Sequence, residues 1–488
     1  MSQNNTQGFR LSPQQRNIWS LQQDSKVLST IAIKGDLRPD SLERTLDEII
    51  GRHEILRTTF QRPPGIKIPF QVVSQESEVS WQFSDLSSLD EEARLSKLEV
   101  CFAAERGKPF DFEKGPILRA SLFKLSSEDH VLLISLPALC ADSKTVANLI
   151  DEIGNAYGLS HGGVKVGNEP MQYADFAEWQ NELLEGSDEE AEEGKSYWQE
   201  LASASSSPLA LPLEKPPTNK YAFRPKALAL CLDSTSVAKV ELLAREHETS
   251  IQIVLFACWQ ALIWRLTNQS DFVIFNLSHG RKLEDLQSAI GLYANYLPIA
   301  CHTEDISFAK HLQGTRDRLS KAEEWQEYFD PNNFSETARD AVAFDFTEQL
   351  LAIETDGLTF SLARQEFCLS PFKLKLSCVR SADSIRGELF YDPLCFDSEV
   401  VERIAEYFTR FVEQTSAGAP FEISQPAKQR LQTEILAEPM IGTIEIVGEG
   451  EARRLLVDFN QTASEFSITK CIHESFAEQA ARTPEAIA

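Results

Sequence analysis

The sequence predicts a mixed α and β fold made of two similarly built halves. In the first half, the continuous apolar run His130–Leu136 is typical of a strand that is covered on both faces. From Val146 the apolar residues follow at i, i+3, i+4 and i+7, which is the period of a helix. The second half repeats the scheme, with an apolar helix at Ile251–Leu266 and an apolar strand at Asp271–Leu277.

Capping residues mark where helices of the first half begin. Ser12–Gln15 provides an N-cap Ser, a Pro at the first helical position and a Gln at the third. A second helix is predicted from Asp40, with an apolar stripe of Leu42, Leu46, Ile49 and Ile50. Between the buried strand and the next helix, Pro137–Ser143 is predicted to be a turn, with Asp142 or Ser143 as the helix cap.

An acidic segment of small residues, 186–194, predicts a boundary between the two halves. Beyond it, further strands and a closing helix are expected at Ala341–Phe346, Leu374–Val379, Gly387–Tyr391 and Phe396–Gln414. The predicted organisation is a first lobe, a second lobe, a linker and the truncated start of a following domain, at residues 1–185, 186–420, 421–456 and 457–488.

Composition excludes several function classes. The 488 residues include 74 acidic and 47 basic side chains, and a formal net charge of −27 argues against nucleic acid or an anionic membrane as a ligand. The first ten residues contain no apolar segment of a secretory signal, and the longest apolar stretches are too short to span a bilayer. Nine scattered cysteines without a CxxC pair predict reduced core thiols in a cytoplasmic protein.

Common catalytic signatures are absent from the sequence. It has no GxxxxGK[ST] or GxGxxG phosphate loop, no HExxH zinc motif and no GxSxG nucleophile motif. None of the eight histidines is paired at metal-ligand spacing, so no metal site is predicted.

Several segments, in order along the chain, match the motifs of one family. The chain from about residue 8 to 420 resembles the condensation domains of nonribosomal peptide synthetases, and residues 456–488 resemble the start of an adenylation domain. The matching segments are Leu11–Leu21 (SxAQxRxWxL), Arg52–Phe60 (RHExLRTxF), Pro109–Arg119 (PFDLxxGPLLR), Tyr173–Trp179 (YxDFAxW) and Ile290–Pro298 (IGxFVNxLP).

The resemblance implies a two-lobed fold like that of chloramphenicol acetyltransferase, with a tunnel between the lobes. Such domains form amide bonds between acyl and aminoacyl thioesters that partner carrier proteins present on phosphopantetheine. The implied partners are therefore carrier proteins and the adenylation domain of the same chain. No cofactor, metal or nucleotide is expected to bind this fragment itself.

The family's catalytic motif, HHxxxDG at a strand-to-helix turn, is degenerate here. The corresponding turn has Pro137 and Ala138 in place of the two histidines and Ser143 in place of the glycine, and it keeps Asp142. In the family, the second histidine is thought to position the acceptor amine or to take its proton. A general base contributes about 10²–10⁴-fold to rate, and Ala138 has no titratable atom.

The loss of the histidines does not remove every route to an amide. An α-amino group has a pKa near ~7.7–8.0, so part of it is neutral at cellular pH. Holding the amine against the thioester supplies further acceleration through proximity. Cys140 is the weak candidate for an acyl-accepting nucleophile, but no basic residue beside it lowers its pKa, which favours an inert buried thiol.

The resemblance also assigns structural and tunnel residues. Asp142 is expected to form a salt bridge with Arg281, where the family has a similar Gly-Arg, and Arg57 is expected to be scaffolding. The candidates for the tunnel wall are Ala138, Tyr296, Phe344, Phe346 and Lys373.

Three functional hypotheses follow from these residues. The first is a weak or non-catalytic platform for adenylation and carrier domains, in an initiation or first module because the motifs begin close to Met1. The second is an active condensation domain that uses proximity, Cys140 or another base. The third is heterocyclisation, which is least favoured because relatives of that type carry DxxxxD and this turn keeps only the second aspartate.

Overall fold

The structure is a computed structural model. It describes residues 8–21, 25–75, 78–159, 170–204, 209–215, 225–303, 306–334, 341–350, 352–367, 371–382, 384–415, 441–442, 444, 446–454 and 481–482.

Helices occur at the predicted positions and at several others. In this part of the chain they are α1 (Pro13–Leu21), α2 (Pro39–Arg52), α3 (Glu91–Gly107), α4 (Ser143–Leu159), α5 (Tyr173–Glu185), α6 (Glu189–Ala204), α7 (Ser234–Glu246), α8 (Ile251–Thr267), α9 (Phe308–Glu324), α10 (Ser398–Thr415) and α11 (Glu449–Arg453). Short 3₁₀ helices form at Glu54–Arg57, Glu284–Leu286, Gln326–Tyr328 and Pro331–Phe334.

The strands alternate with these helices along the chain. They are β1 (Gly8–Phe9), β2 (Lys26–Lys34), β3 (Thr58–Gln61), β4 (Phe70–Val73), β5 (Ser80–Asp85), β6 (Arg119–Lys124), β7 (Asp129–Pro137), β8 (Lys226–Leu232), β9 (Asp271–Ser278), β10 (Asn295–His302), β11 (Val342–Glu348), β12 (Ile353–Thr355), β13 (Leu358–Phe367), β14 (Leu374–Arg380) and β15 (Ile385–Tyr391).

Two mixed sheets carry the fold, which confirms the mixed α and β class. The first has the strand order β12-β13-β2-β7-β6-β5, and the second has the order β10-β9-β11-β14-β15-β8. A small third sheet has the order β1-β4-β3. The predicted buried strand is β7, which pairs antiparallel with β2 on one side and with β6 on the other.

One connection crosses between the halves. Strands β12 and β13 come from the second half of the chain, yet β13 pairs antiparallel with β2, so that Phe360 lies opposite Ile33. Residues 353–367 therefore complete the first sheet. The predicted division of the chain at residue 185 did not include this crossover from the second half to the first.

The predicted caps of two helices are present. At α1 the backbone N–H of Gln15 donates to Ser12 Oγ at 3.1 Å, and the Gln15 side-chain oxygen accepts from the Ser12 N–H at 3.1 Å. These two bonds form a reciprocal capping box. At α4 the backbone N–H of Thr145 donates to Asp142 Oδ1 at 2.8 Å, so Asp142 is the cap.

Helix α8 forms the core of the second half. Its ring contacts reach both sides, with Phe256 at 5.2 Å from Phe344 of β11 and Trp259 at 5.8 Å from Phe408 of α10. A helix that is apolar all round and buried on every side is typical of a protein core. Within the described residues, no single helix is long and apolar enough to cross a membrane, but α7 and α8 together pass on length and composition, with a bend of 101° between them.

Residues 1–444 form one compact unit and 445–488 a second. The last residues of the first unit return to α8, where Arg265 Nη1 lies 3.1 Å from the carbonyl oxygens of both Ile441 and Ile444. Of the predicted linker, residues 421–440 lie outside the described residues. The predicted start of an adenylation domain, 457–488, also lies outside them except for residues 481–482.

Candidate functional site

The turn between β7 and α4 is closed to solvent. Ala138, Cys140 and Asp142 are each 0% exposed, and the backbone N–H of Ala138 donates to the carbonyl of Ser25 at 2.9 Å. The side-chain amide of Gln15 in α1 donates to the carbonyl of Leu139 at 2.9 Å. Neighbouring elements thus use the polar backbone groups of the turn, and the Ala138 side chain adds no group that takes or gives a proton.

Asp142 is the centre of a saturated hydrogen-bond network. Six donor groups lie within hydrogen-bond distance of its carboxylate, and the Arg281 guanidinium donates two bonds at 2.8 and 3.0 Å. The backbone N–H groups of Thr145, Tyr293 and Ala294 donate at 2.8, 2.9 and 3.0 Å, and the Thr145 hydroxyl shares its one proton between Asp142 and the carbonyl of Gly291. The ion pair that the sequence analysis expected is present, buried and bidentate.

The charge state of Asp142 follows from this network. Burial by itself raises the pKa of the carboxyl. The charge and hydrogen bonds of Arg281, together with the backbone hydrogen bonds of Thr145 and Tyr293, outweigh burial, so the pKa lies below its ordinary value. At neutral pH the carboxylate is ionised and its oxygens are fully used. Asp142 therefore holds the turn in place and does not take a proton from a substrate.

Other motif residues meet at the same junction. The Tyr173 hydroxyl donates to the carbonyl of Leu292 at 2.7 Å and lies 2.8 Å from Ser12 Oγ. Gly291 has φ +154°, and a Cβ atom there would lie 2.2 Å from the Tyr173 ring, so no larger residue fits without rearrangement. Three of the matched motifs thus join the halves of the fold around Asp142.

Arg57 and its neighbours support the first half. The Arg57 guanidinium donates to the carbonyl of Ser74 and lies 3.6 Å from the carboxylate of Glu54. His53 is buried with its Nε2 at 2.7 Å from the carboxylate of Glu152. These contacts connect local elements, in agreement with a scaffolding role.

The environment of Cys140 does not activate a nucleophile. Its thiol is fully buried, and burial raises the pKa, which keeps the sulfur protonated at neutral pH. Burial also raises the thiol pKa of three other cysteines, Cys258, Cys301 and Cys378.

Alkylation by iodoacetamide should therefore distinguish the cysteines of the native chain. Cys231, which is exposed, is expected to react within minutes, whereas Cys140 stays unmodified until the chain unfolds. Peptide mass spectrometry of the native and urea-denatured chain measures both. Rapid modification of Cys140 in the native chain would show that the turn is open and that its thiol is reactive.

A large cleft lies beside the turn. It has a volume of about 1180 Å³ and is lined by residues of both halves. Parts of its wall come from the first turn of α4, from the residue after β9, and from strands β11 and β14. The residues concerned are Ser143, Lys144, His279, Asp345, Phe346 and Lys375. Of the degenerate motif, only its last residue, Ser143, lines this cleft.

A buried polar cluster stands between this cleft and a smaller cavity. Lys375 Nζ donates to Asp345 Oδ2 at 2.9 Å, and the Tyr296 hydroxyl donates to the same oxygen at 3.2 Å. Asp345 and Lys375 line the cleft, whereas Tyr296 lines a cavity of about 30 Å³ next to Phe372. This cluster of Tyr296, Asp345 and Lys375 therefore includes residues from the walls of both spaces.

The predicted tunnel residues separate into different environments. Phe346 lines the cleft and Tyr296 lines the small cavity, but Phe344 points to α8 in the core. Ala138 is fully buried in the turn and is not part of the cleft wall. The expectation that Lys373 lines the tunnel is corrected. Its ammonium donates to Glu214 Oε2 at 2.8 Å and to the carbonyl of Leu209, and Lys373 is not part of the cleft wall.

Sequence reasoning missed several polar residues of the cleft, among them Lys375, Asp345 and His279. Lys375 lies two residues beyond the predicted lysine, and the start of β14 at Leu374 decides which of the two reaches the cleft. Asp345 lies between two phenylalanines of the apolar strand β11, so the pattern gave no indication of a polar site there. His279 directly follows β9, and a histidine at the end of a buried strand, next to the Gly-Arg pair already singled out, was the available signal.

Comparison with known proteins places this geometry in context. The chain matches the family described as Condensation domain over residues 5–427. It is 27% identical to bacitracin synthase 3 of Bacillus licheniformis over 494 residues, which cover 98% of this chain and 7% of that protein. Bacitracin synthase 1 of the same species is 27% identical over 495 residues, covering 98% and 9%. The chain thus spans less than a tenth of the length of these relatives.

The fold also matches solved structures. The first condensation domain of the calcium-dependent antibiotic synthetase, solved with a substrate analogue, superposes with a TM-score of 0.73 at 15% identity. The match covers 91% of this chain and 100% of that one. The likeness shows that the two-sheet architecture is that of condensation domain structures.

Proposed function

This chain belongs to the condensation domain family, and we propose that it serves a nonribosomal peptide synthetase as a substrate-holding domain with little or no amide synthesis of its own. In this proposal the cleft receives acyl or aminoacyl thioesters that carrier proteins present on phosphopantetheine. The domain then acts as a platform for its carrier proteins and for an adenylation domain of the same polypeptide.

The closed turn is the observation that carries this proposal. Where the family has its histidines, the chain has Pro137 and Ala138, and Ala138 is 0% exposed with no titratable atom. The remaining acid, Asp142, has six donor groups within hydrogen-bond distance of its carboxylate. No group of this turn is available to take a proton from an attacking amine, while the ion pair of Asp142 with Arg281 is present.

The cleft supports the substrate-holding part of the proposal. Ligand sites of small molecules usually measure about 300–1,000 Å³, and a space of about 1180 Å³ fits a long thioester-linked arm. The cluster of Tyr296, Asp345 and Lys375 contributes two residues to the wall of this cleft and one to the smaller cavity. A single large cleft with a separate small cavity supports holding one substrate better than bringing two together.

The test is amide formation between a carrier-bound acyl donor and a carrier-bound aminoacyl acceptor, measured by mass spectrometry of the released product. The loss of a general base predicts a rate about 10²–10⁴-fold below that of an intact relative assayed with the same substrates. Amide formation at the rate of the intact relative would overturn the platform proposal. Binding of the substrates to the chain is measured separately, so that a slow rate is not confused with absent binding.

An active domain of unconventional mechanism is the second candidate. The observation that favours it is the set of ionisable groups in the cleft, Lys144, His279, Asp345 and Lys375. Proximity alone supplies a large part of the acceleration when the two reactants are held together. The same assay decides between the candidates, because an active domain reaches an ordinary enzyme rate without a histidine in the turn.

A further inference from the structure

His279 is a histidine of the cleft wall with a buried ring nitrogen that the described structure leaves without a partner. It lines the cleft at the end of β9, and its Nδ1 is buried without a hydrogen-bond partner in the described structure. A buried polar atom without a partner costs free energy, so it is normally satisfied by protein, water or a ligand. The position of this ring in the wall of a ligand-sized space makes a ligand the relevant partner.

The backbone that carries His279 is fixed. Gly280 has φ +66°, and a Cβ atom there would lie 2.0 Å from the carbonyl oxygen of Tyr293. The carbonyl of His279 accepts a hydrogen bond from Arg281 Nη1 at 3.1 Å, and the same nitrogen is bound to Asp142. The ion pair that holds the turn therefore also holds His279 at the edge of the cleft.

The charges around the ring determine what it can bind. Burial lowers the pKa of His279, and the lysine and arginine nearby lower it further while the two carboxylates oppose the shift, so the ring is neutral at pH 7. A neutral imidazole has one N–H donor and one acceptor nitrogen. Of the charged groups that face it, Asp142 is paired with Arg281 and Asp345 with Lys375. Lys144 is the remaining cation, and its charge also acts on Asp151, a further carboxylate of the cleft wall.

These charges favour an uncharged amine over an ammonium ion. A positive charge nearby disfavours the protonated form of an amine, and Lys144 lines the same cleft as His279. A neutral amine donates an N–H to the acceptor nitrogen of the imidazole without moving a proton. This is the form of the amine that attacks a thioester.

We propose that His279 is the amine-binding residue of the cleft and hydrogen-bonds the α-amino group of an aminoacyl thioester. The inference rests on the proposed function, since it requires that such thioesters enter the cleft. It assigns to a residue after β9 a contact that no residue of the 137–143 turn makes in this chain.

The test compares two pantetheine probes with an amide in place of the thioester, so that neither reacts. One carries an alanyl group and the other a propionyl group, which differ only in the amino group. With the whole chain at about pH 8.5, where the amine is mostly neutral, the alanyl probe is expected to bind about fivefold more tightly, as one hydrogen bond provides. At about pH 6.5, where the amine is mostly protonated, the preference should shrink.

Variants separate this role from a structural one. His279→Ala is expected to bind both probes equally, and His279→Gln, which keeps an acceptor oxygen, to retain part of the preference. His130→Gln is the matched control, because His130 is also buried with an unpartnered Nδ1 but lies on β7 away from the cleft wall. It should leave the preference unchanged.

The outcomes distinguish the two proposals. If neither probe binds to the wild-type chain, the proposed occupancy of the cleft is overturned and the role of His279 with it. If both probes bind equally to the wild type, or if His279→Ala keeps the preference, only the role of His279 is overturned. Thermal melting of each variant confirms that the comparison is made on folded protein.

Discussion

Replacing Asp142 with alanine is expected to lower the free energy of unfolding by about 3–5 kcal/mol, because it leaves the buried Arg281 guanidinium without its counter-charge. The same substitution removes the cap of α4 and the acceptor for two backbone N–H groups, at Tyr293 and Ala294. Urea unfolding followed by circular dichroism measures the loss. A change of less than about 1 kcal/mol would show that the network is not what joins the two halves.

The pH dependence of this loss has a definite sign. The pKa of Asp142 is lower in the folded chain than in the unfolded chain, so its contribution is fully present above pH ~4 and is lost as pH falls through the folded pKa. The stability difference between wild type and Asp142→Ala should therefore be constant near neutral pH and shrink in acid. Asp271→Asn is the control, since its side chain is 75% exposed beside His302 and such pairs contribute about 0–1 kcal/mol.

Local features of the fold were predictable because they depend on residues close in sequence. The caps at Ser12 and Asp142 and the buried strand β7 follow from short patterns of residue type. The Asp142–Arg281 pair is a long-range contact, and it was predictable only through resemblance to a family. A single buried carboxylate in a sequence does not say which of the 47 basic residues reaches it.

Features set by strand pairing were not predictable. The addition of residues 353–367 to the first sheet depends on an edge that β2 offers, which no local pattern shows. The exchange of Lys373 for Lys375 in the cleft has the same origin, since pairing with β11 and β15 decides where β14 begins. Because catalysis needs side chains placed to within an ångström, the residues of the cleft were the part of the structure that the sequence predicted least well.

The turn shows that structural and chemical duties of one motif are separable. Asp142, Arg281, Thr145 and Gly291 form the contacts that join the halves, so their loss is expected to destabilise the chain. At the positions of the histidines the hydrogen bonds are made by the backbone alone, since the Ala138 N–H donates to Ser25 and the Pro137 carbonyl accepts from Cys140. A domain that no longer needs its chemistry is therefore expected to lose the histidines first and to keep the aspartate.

Restoring the motif by Ala138→His together with Ser143→Gly is expected not to restore amide synthesis, which should stay about 10²–10⁴-fold below an intact relative. Ala138 is 0% exposed, so an imidazole there has to displace packed neighbours, and overpacking costs about 1–3 kcal/mol. Ala138→Ser, which adds one atom, is the matched control for stability. Product formation and urea unfolding of the three chains test this, and an ordinary rate in the double variant would mean that position 138 does face substrate. The closed turn would then be a consequence of its alanine, and the platform would be two substitutions away from an enzyme.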